Sequence, residues 1–426
     1  MLRSTARRVH GPACRTMSPP PTQAMLDRRS PLWASAAITW IDNLGAATAL
    51  IGIYFVARLA YEFTPAQSLG LGLVQGITYV LAAICAGPGM RLLAGPQRPI
   101  STRTLLALLH VLLAAACTIP VVWRSPQAMW VTVAIYTPIT GWLWPAIESF
   151  LSAGRTGRDL RRSSGWFNIA WASCQVFTFW FIAPFMEKQP LWAIPVMGLS
   201  HLLAIPLIMM LRREPAAHGD AAHHHSREEV ALYRRLLNSH RLLLILSYIV
   251  YSSMNPLLPA IEESLALAAF WMTPVISIWM VSRVGMFWWM GAWGGWHGRA
   301  FTLAWPSVLL LSGFAMCMLA GSVPVFCVGL VLFGTGMGAI YSAAFYYAME
   351  VGSAGVDAGG KHEALIGVGY AVGPFTGIVA SEATRAAQLS PVYTRVGTFV
   401  LVLAIAAGFG TLILRALLRA KTRSSL

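Results

Sequence analysis

Residues 38–58 read ITWIDNLGAATALIGIYFVAR, some twenty mostly apolar residues with one carboxylate, Asp42, set well inside them. About twenty such residues in a helix cross the hydrocarbon core of a bilayer, roughly 30 Å thick. An acid at the centre of such a helix costs roughly 2.5–3.5 kcal/mol on insertion scales. It must therefore meet a polar partner or face a water-filled cavity. Which of the two applies depends on what surrounds this segment in the rest of the chain.

The composition places the stretch in a membrane protein. Of the 426 residues, 57% are hydrophobic and 11% charged, against about 25% charged in soluble domains. The net charge of +15 does not mark a nucleic-acid binder, because the basic residues sit in short clusters between apolar spans. The six cysteines do not form a disulfide framework: Cys85, Cys117, Cys174, Cys317 and Cys327 lie in apolar spans and Cys14 in the amino-terminal tail. The first thirty residues are basic and rich in Pro and Ser, with no apolar core, so they do not read as a cleavable secretory signal. A disordered cytoplasmic tail, a true start at Met17 or Met25, and an organelle transit peptide are the readings open there.

Twelve apolar segments are long enough to span a bilayer as helices, at about 32–58, 66–89, 103–123, 127–151, 164–185, 189–211, 241–265, 270–293, 301–320, 324–349, 363–384 and 395–415. The one long connection, RREPAAHGDAAHHHSREEVALYRRLLNSHR at 212–241, is charged and polar and divides the spans six and six. The expected organisation is a tail over 1–31, a six-helix bundle over 32–211, a central loop over 212–240, a second six-helix bundle over 241–416 and a short tail over 417–426. Lys and Arg fall about five to one on the side of the chain termini. That bias predicts both termini in the cytoplasm.

A weak internal repeat relates the two halves. PAIESFLSAGRTGRDLRRSSGWFN (145–168) and YAMEVGSAGVDAGGKHEALIGVGY (347–370) share a Glu–Gly–Gly spacing: Glu148, Gly157 and Gly165 match Glu350, Gly359 and Gly367. Parallel repeats of this kind build one large class of transporters.

Six spans, a charged loop and six more spans resemble the major facilitator superfamily over about residues 30–416. The superfamily's loop motif after the second span, Gly-x3-Asp-Arg-x-Gly-Arg, is eroded here to GPGMRLLAGPQRP (87–99), without the Asp–Arg pair. The copy after the eighth span, GAWGGWHGR (291–299), keeps Gly291, Gly298 and Arg299 but has Gly295 and Trp296 in the charged positions. GYAVGPFTG (369–377) fits the Gly-x3-Gly-Pro-x2-Gly pattern that superfamily antiporters carry in span five, here in span eleven. Gly369, Gly373, Pro374 and Gly377 are thus expected to form a flat helix-packing face, either a rocking surface between halves or ordinary packing. The resemblance implies a central cavity lined by spans one, four, seven and ten, with spans three, six, nine and twelve facing lipid.

The distribution of acids follows that expectation. Spans one, four, seven and ten carry Asp42, Glu148, Glu262 with Glu263, and Glu350, while spans three, six, nine and twelve carry no charge away from their ends. Tyr136 and Trp142 in span four, Tyr251 and Asn255 in span seven, and Tyr341 and Tyr346 in span ten would line a pathway for a polar organic solute. Interfacial belts account equally for any one of these aromatics. Asn168 in span five has a structural reading and a substrate-contacting one. Asp42 continues along its helix face into Gly45, Ala46 and Ala49, which suits a bundle interior. It reads as a proton-coupling or substrate-contacting acid, or as a static helix-holding partner. Arg283, the other deep charge, reads as a structural ion pair or a dock for an anion, and pairing with Asp42 serves either. Glu148 and Glu350 sit near the cytoplasmic ends of their spans as gate candidates, Glu148 with Arg155 or Arg158. Glu262 and Glu263 are expected to be solvated, and His110 and His201 to be structural.

The remaining features exclude more than they assign. His223–His225 has no ordered ligand spacing, so no metal site and no cofactor are expected. No Gly-x4-Gly-Lys-Ser/Thr loop supports ATP-driven transport, and no Ser–His or HExxH arrangement supports a membrane hydrolase. The expected protein is an all-α integral membrane transporter of a small organic solute, working as a monomer in the lipid bilayer by alternating access. Proton coupling through Asp42 is one expectation. An exporter of lipophilic compounds, a polytopic membrane enzyme and a non-transporting sensor are the alternatives.

Overall fold

A computed structural model describes residues 29–155, 157–216, 227–351, 356–390 and 392–422. Twelve long helical segments run through these residues. The first half comprises α1 (Leu32–Tyr61), α2 (Pro65–Leu93), α3 (Thr102–Val122), α4 (Pro126–Ser152), α5 (Gly157–Lys188) and α6 (Pro190–Met209). The second comprises α7 (Arg227–Met254, a 3-10 turn at Asn255–Leu257, then Leu258–Ser264), α8 (Ala269–Ala292), α9 (Phe301–Met318), α10 (Val323–Val351), α11 (Val356–Ala386) and α12 (Val392–Thr422).

Local sequence sets where these helices start and stop. Pro65 opens α2 behind a reciprocal cap, in which the Gln67 amide donates to Thr64 Oγ1 at 3.2 Å and the Thr64 amide to Gln67 Oε1 at 2.9 Å. Ser101 caps α3 by accepting from the Thr104 amide at 3.1 Å. α1 ends where Glu62 turns left-handed at φ 54°, its amide bonding to the Arg58 carbonyl at 2.9 Å. Two of the helices that line the interior are also irregular. α1 widens to a π-helix over Thr48–Gly52, and α7 tightens at Pro256, whose ring removes a backbone donor.

Eleven of the twelve segments are long and apolar enough to cross a membrane by length and composition. The other is α4, which has the length at 27 residues but is diluted by Thr132, Tyr136, Thr137, Thr140 and Glu148. That polarity is tolerated because all five side chains are buried in protein. At the opposite extreme, the most apolar window of α12 is only 22% buried, against 89% for α7, so α12 offers its surface to lipid.

The two halves meet through equivalent helices: α2 packs on α11, and α5 on α8. Small residues permit the approach. A Cβ on Gly76 of α2 would overlap the backbone of Tyr370 and Ala371 on α11, and one on Gly72 would touch Pro256 and Pro374 at 3.1 Å each. The glycine face of α11 is split between two partners. Gly369 and Gly373 lie against Tyr248, Ile249 and Ser252 of α7 within the second half, with Ser252 Oγ donating to the Gly369 carbonyl at 2.7 Å. Pro374 and Gly377 instead meet Gly72 and Leu69 of α2 across the halves.

The structure shortens the expected central loop, because α7 already begins at Arg227. His223–His225, Cys14, nearly all of the expected tail over 1–31 and residues 423–426 lie outside the described residues.

Candidate functional site

Between the halves lies a cavity with about 530 Å³ of non-atom space, open solvent included. The first half contributes Asn43, Tyr79, Trp144, Glu148, Trp171 and Gln175 to its wall; the second contributes Tyr248, Tyr341, Glu363 and Tyr370. α1, α4, α7 and α10 line it as expected, and α2, α5 and α11 join them. Among the described residues no Lys or Arg lines the cavity.

Toward the end of the bundle away from the chain termini, the halves are tied by Arg58 and Glu263. The Arg58 Nε and Nη2 donate to the two carboxylate oxygens at 2.8 and 2.7 Å. Toward the terminus end, Phe167 of α5 stacks on Phe345 of α10 with centroids 6.1 Å apart. A smaller space of about 350 Å³ continues there, lined by Asn168, Phe287, Met290, Ser342 and Tyr346 among others.

Glu148 and Glu363 come together across the halves. Gly359 and Glu363 are one turn apart on α11, and a Cβ on Gly359 would stand 2.5 Å from Glu148 Oε2. The Tyr79 hydroxyl donates to Glu363 Oε2. Glu148 is 3% exposed, yet neither of its oxygens has a well-aligned hydrogen bond. Both carboxyls line the one cavity, and the turn of α11 that carries Glu363 lies against Glu148.

Arg283 stands one layer behind the wall. Its guanidinium carbon lies 4.5 Å from the centroid of Trp171, 5.1 Å from Tyr341, 5.4 Å from Phe287 and 5.6 Å from Trp279. One Nη donates to the Tyr248 hydroxyl at 3.4 Å, and Nε has no partner. Among the described residues Arg283 forms no ion pair, so the expected bridge to Asp42 is absent. An aromatic cage takes its place.

Asp42 does not reach the cavity. It is fully buried inside the first half, with Oδ1 2.6 Å from His201 Nδ1 of α6 and 3.3 Å from His110 Nε2 of α3. His201 Nε2 lies 2.9 Å from the Tyr136 hydroxyl. Asp42, Tyr136 and the two histidines therefore form one internal polar cluster, and the neighbouring Asn43 takes the cavity position. Gly45 makes room for it, since a Cβ there would overlap the His201 ring.

The other predicted residues divide. Tyr341 lines the main cavity. Asn168 and Tyr346 line the smaller space, and Asn168 Oδ1 accepts from Trp171 Nε1 at 3.3 Å. Trp142 is not a cavity residue: it fills the notch over Gly89 of α2, and Trp144, two residues on, faces inward. Tyr251 is packed among Tyr248, Trp279 and Tyr370 behind the wall. Asn255 is buried in the 3-10 turn with Oδ1 unpartnered. Arg155 does not pair with Glu148: it donates to the Leu151 carbonyl at 2.6 Å and to that of Ser30 at 2.8 Å, closing the end of α4. Glu262 is fully buried rather than solvated, while Glu263 holds Arg58. The side chains of Arg158 and Glu350 lie outside the described residues. Also among the described residues, no group of three or more His, Cys, Asp or Glu is placed to hold a metal ion.

Sequence reading missed Glu363, Tyr79, Trp171, Gln175 and Tyr370. Glu363 stood at the boundary assigned to span eleven, where an acid reads as an interfacial end. The available signal was its spacing to Ile366 and Tyr370, which puts all three on one helix face.

The same architecture recurs in solved transporters. The bacterial homologue of the human lysosomal transporter Spinster, in an inward-facing and unoccupied conformation, superposes with a TM-score of 0.67 at 12% identity, over 91% of this chain and 97% of that one. The nucleoside transporter NupG gives 0.62 at 11% identity over 91% and 98%. The human organic anion transporter MFSD10 (TETRAN) gives 0.59 at 16% identity over 88% and 100%. No family model and no curated protein matches the sequence. At these identities the likeness is one of fold, and the fold is that of the major facilitator type.

Proposed function

We propose that the protein is a secondary transporter carrying a small organic solute across a membrane by alternating access. The observation that carries this reading is the cavity walled by both halves, with separate contacts between the halves toward each end. Both the Arg58–Glu263 and the Phe167–Phe345 contact are closed in this structure, and rocking the halves about the cavity parts one or the other in turn. The fold likeness to transporters supports the same reading, as does the dispersal of acids, since an enzyme acting at one membrane face needs its reactive groups gathered there. The Lys and Arg bias supports placing the chain termini, and the Glu148 end of the cavity, on the cytoplasmic side.

The test is flux in proteoliposomes of the purified full chain across a panel of cationic, anionic, zwitterionic and neutral solutes, with and without a proton gradient. Saturable flux of at least one class, absent from protein-free liposomes, is the expected result. No flux for any class removes the transport reading.

A further inference from the structure

Resting on that reading, we infer that the Glu148–Glu363 pair is the binding site of a monovalent organic cation, which takes the place of a proton that the two carboxyls share.

The argument begins with charge. Two carboxyls brought together inside protein cannot both stay ionised without a compensating cation, so between them they hold a proton or a cationic ligand. Arg283 is the fixed cation held against the wall, behind the rings of Trp171 and Tyr341. With one shared proton, the pair and Arg283 sum to zero. Replacing that proton by a monovalent cation leaves the sum at zero. A dication or an anion does not.

Shape and surface chemistry agree with charge. Glu148 is buried and lines the cavity, and apart from a proton shared with Glu363 its oxygens meet no hydrogen-bond donor, which leaves acceptor capacity for a ligand. The surrounding wall is aromatic, with Tyr79, Trp144, Phe167, Tyr248 and Tyr370 among its rings. Ring faces attract cations and cover the apolar body of an organic one. The wall's other side-chain oxygens, on Asn43, Gln175 and four tyrosines, are neutral, so the two carboxyls are its charged acceptors.

Placement gives the exchange its consequence. Glu148 belongs to the first half and Glu363 to the second, so parting the halves at this level separates the pair. A separated carboxylate that reaches water releases its proton, and a cation that bridges the pair competes with that proton for the closed arrangement. The other titratable or charged groups facing the pair are Tyr79 on α2, Tyr248 on α7, Arg283 on α8, Tyr341 on α10, and His362 and Tyr370 on α11. Of these only an imidazole ordinarily titrates near neutrality, so His362 requires a control.

The experiment is equilibrium binding of ethidium, a permanent aromatic monocation, to the full chain in nanodiscs, with proton release followed in weak buffer. Phenanthridine and naphthalenesulfonate serve as uncharged and anionic comparisons. Ethidium affinity is expected to rise with pH, approaching about tenfold per unit where the pair holds its proton, with one proton released per cation bound. Glu148→Gln and Glu363→Gln, checked for unchanged elution and melting, are expected to lose both the pH dependence and the release; His362→Asn keeps them. Absence of ethidium binding, binding without pH dependence or proton release, or preference for naphthalenesulfonate overturns the inference. If the glutamine variants misfold, the wild-type proton count alone decides it. Ethidium binding with proton release but no flux of any solute sinks the transport reading and leaves the site. Flux of other solutes without ethidium binding does the reverse.

Discussion

His201 Nδ1 lies 2.6 Å from Asp42 Oδ1, and both side chains are sealed from solvent and from the central cavity. The acid that made the first span conspicuous therefore meets a polar partner. Its hydrogen inventory is restrictive. His110 Nδ1 faces the Leu106 carbonyl at 2.8 Å, so that nitrogen carries its hydrogen. His110 Nε2 faces Asp42 Oδ1 at 3.3 Å without a well-aligned hydrogen bond.

Removing Asp42 leaves His201 without its acceptor and takes away the carboxylate His110 faces inside the bundle. Asp42→Ala is expected to destabilise the protein by about 3–5 kcal/mol, as breaking one side of a buried pair does. Asp42→Asn keeps the shape and costs less. Because the cluster is walled off from the cavity, Asp42→Asn should leave the pH dependence of ethidium binding unchanged. Melting in detergent and the binding titration check the two parts separately.

Gly76 is the tightest crossing between the halves near the cavity. Gly76→Ala puts a methyl group into the backbone of Tyr370 and Ala371, and backbone cannot turn aside as a side chain can. The expected cost is about 1–3 kcal/mol, read as a lowered melting temperature. Glycine to alanine at Gly165, where nothing lies within 4 Å of the added carbon, is the matched control and should not destabilise.

The helix count, the division six and six and the lipid-facing role of α12 were legible because hydropathy and length alone decide which segments cross a bilayer. The cavity was half legible. Tyr341 was found because mid-span polarity is rare, and Glu148 was noticed only as a gate candidate at a span end, because a span says nothing about which way a side chain points. Asp42 and Asn43 are adjacent and face opposite surroundings, and so do Trp142 and Trp144 at a spacing of two. Glu363 was hidden by its place at a span boundary. His110 and His201 were read as structural and lie outside the cavity lining, yet their shared partner was not visible, because three helices distant in sequence bring the cluster together.

Arg58 and Glu263 tie the halves at the end away from the termini, with side chains about a third exposed at 30% and 34%. Solvent screening limits such a pair to about 1 kcal/mol, so Arg58→Ala or Glu263→Ala should hardly move the melting temperature. The conformational balance is a different matter, because the pair exists only while that end is closed. Either alanine variant is expected to open it more often, and Arg58→Glu with Glu263→Arg to restore closure. Labelling of a cysteine introduced at Phe63, which is buried and whose carbonyl accepts from Arg58 at 3.1 Å, follows the change once the native cysteines are replaced by serine; equal labelling in all four backgrounds would show that the pair does not hold the end shut.

Glu262 presents the reverse case. It lies fully buried near the end of α7 with neither carboxyl oxygen hydrogen-bonded. An unpartnered buried polar group costs about 1–3 kcal/mol, and the neighbouring Glu263, not Glu262, supplies the tie to Arg58. Removing the polar head while keeping the chain length therefore releases that cost. Glu262→Met is expected to raise the melting temperature, by an amount corresponding to about 1–3 kcal/mol, and to leave ethidium binding as it was. If the variant melts lower and loses solute binding, Glu262 holds a partner or a ligand in the working cycle, and its burial serves transport rather than burdening the fold.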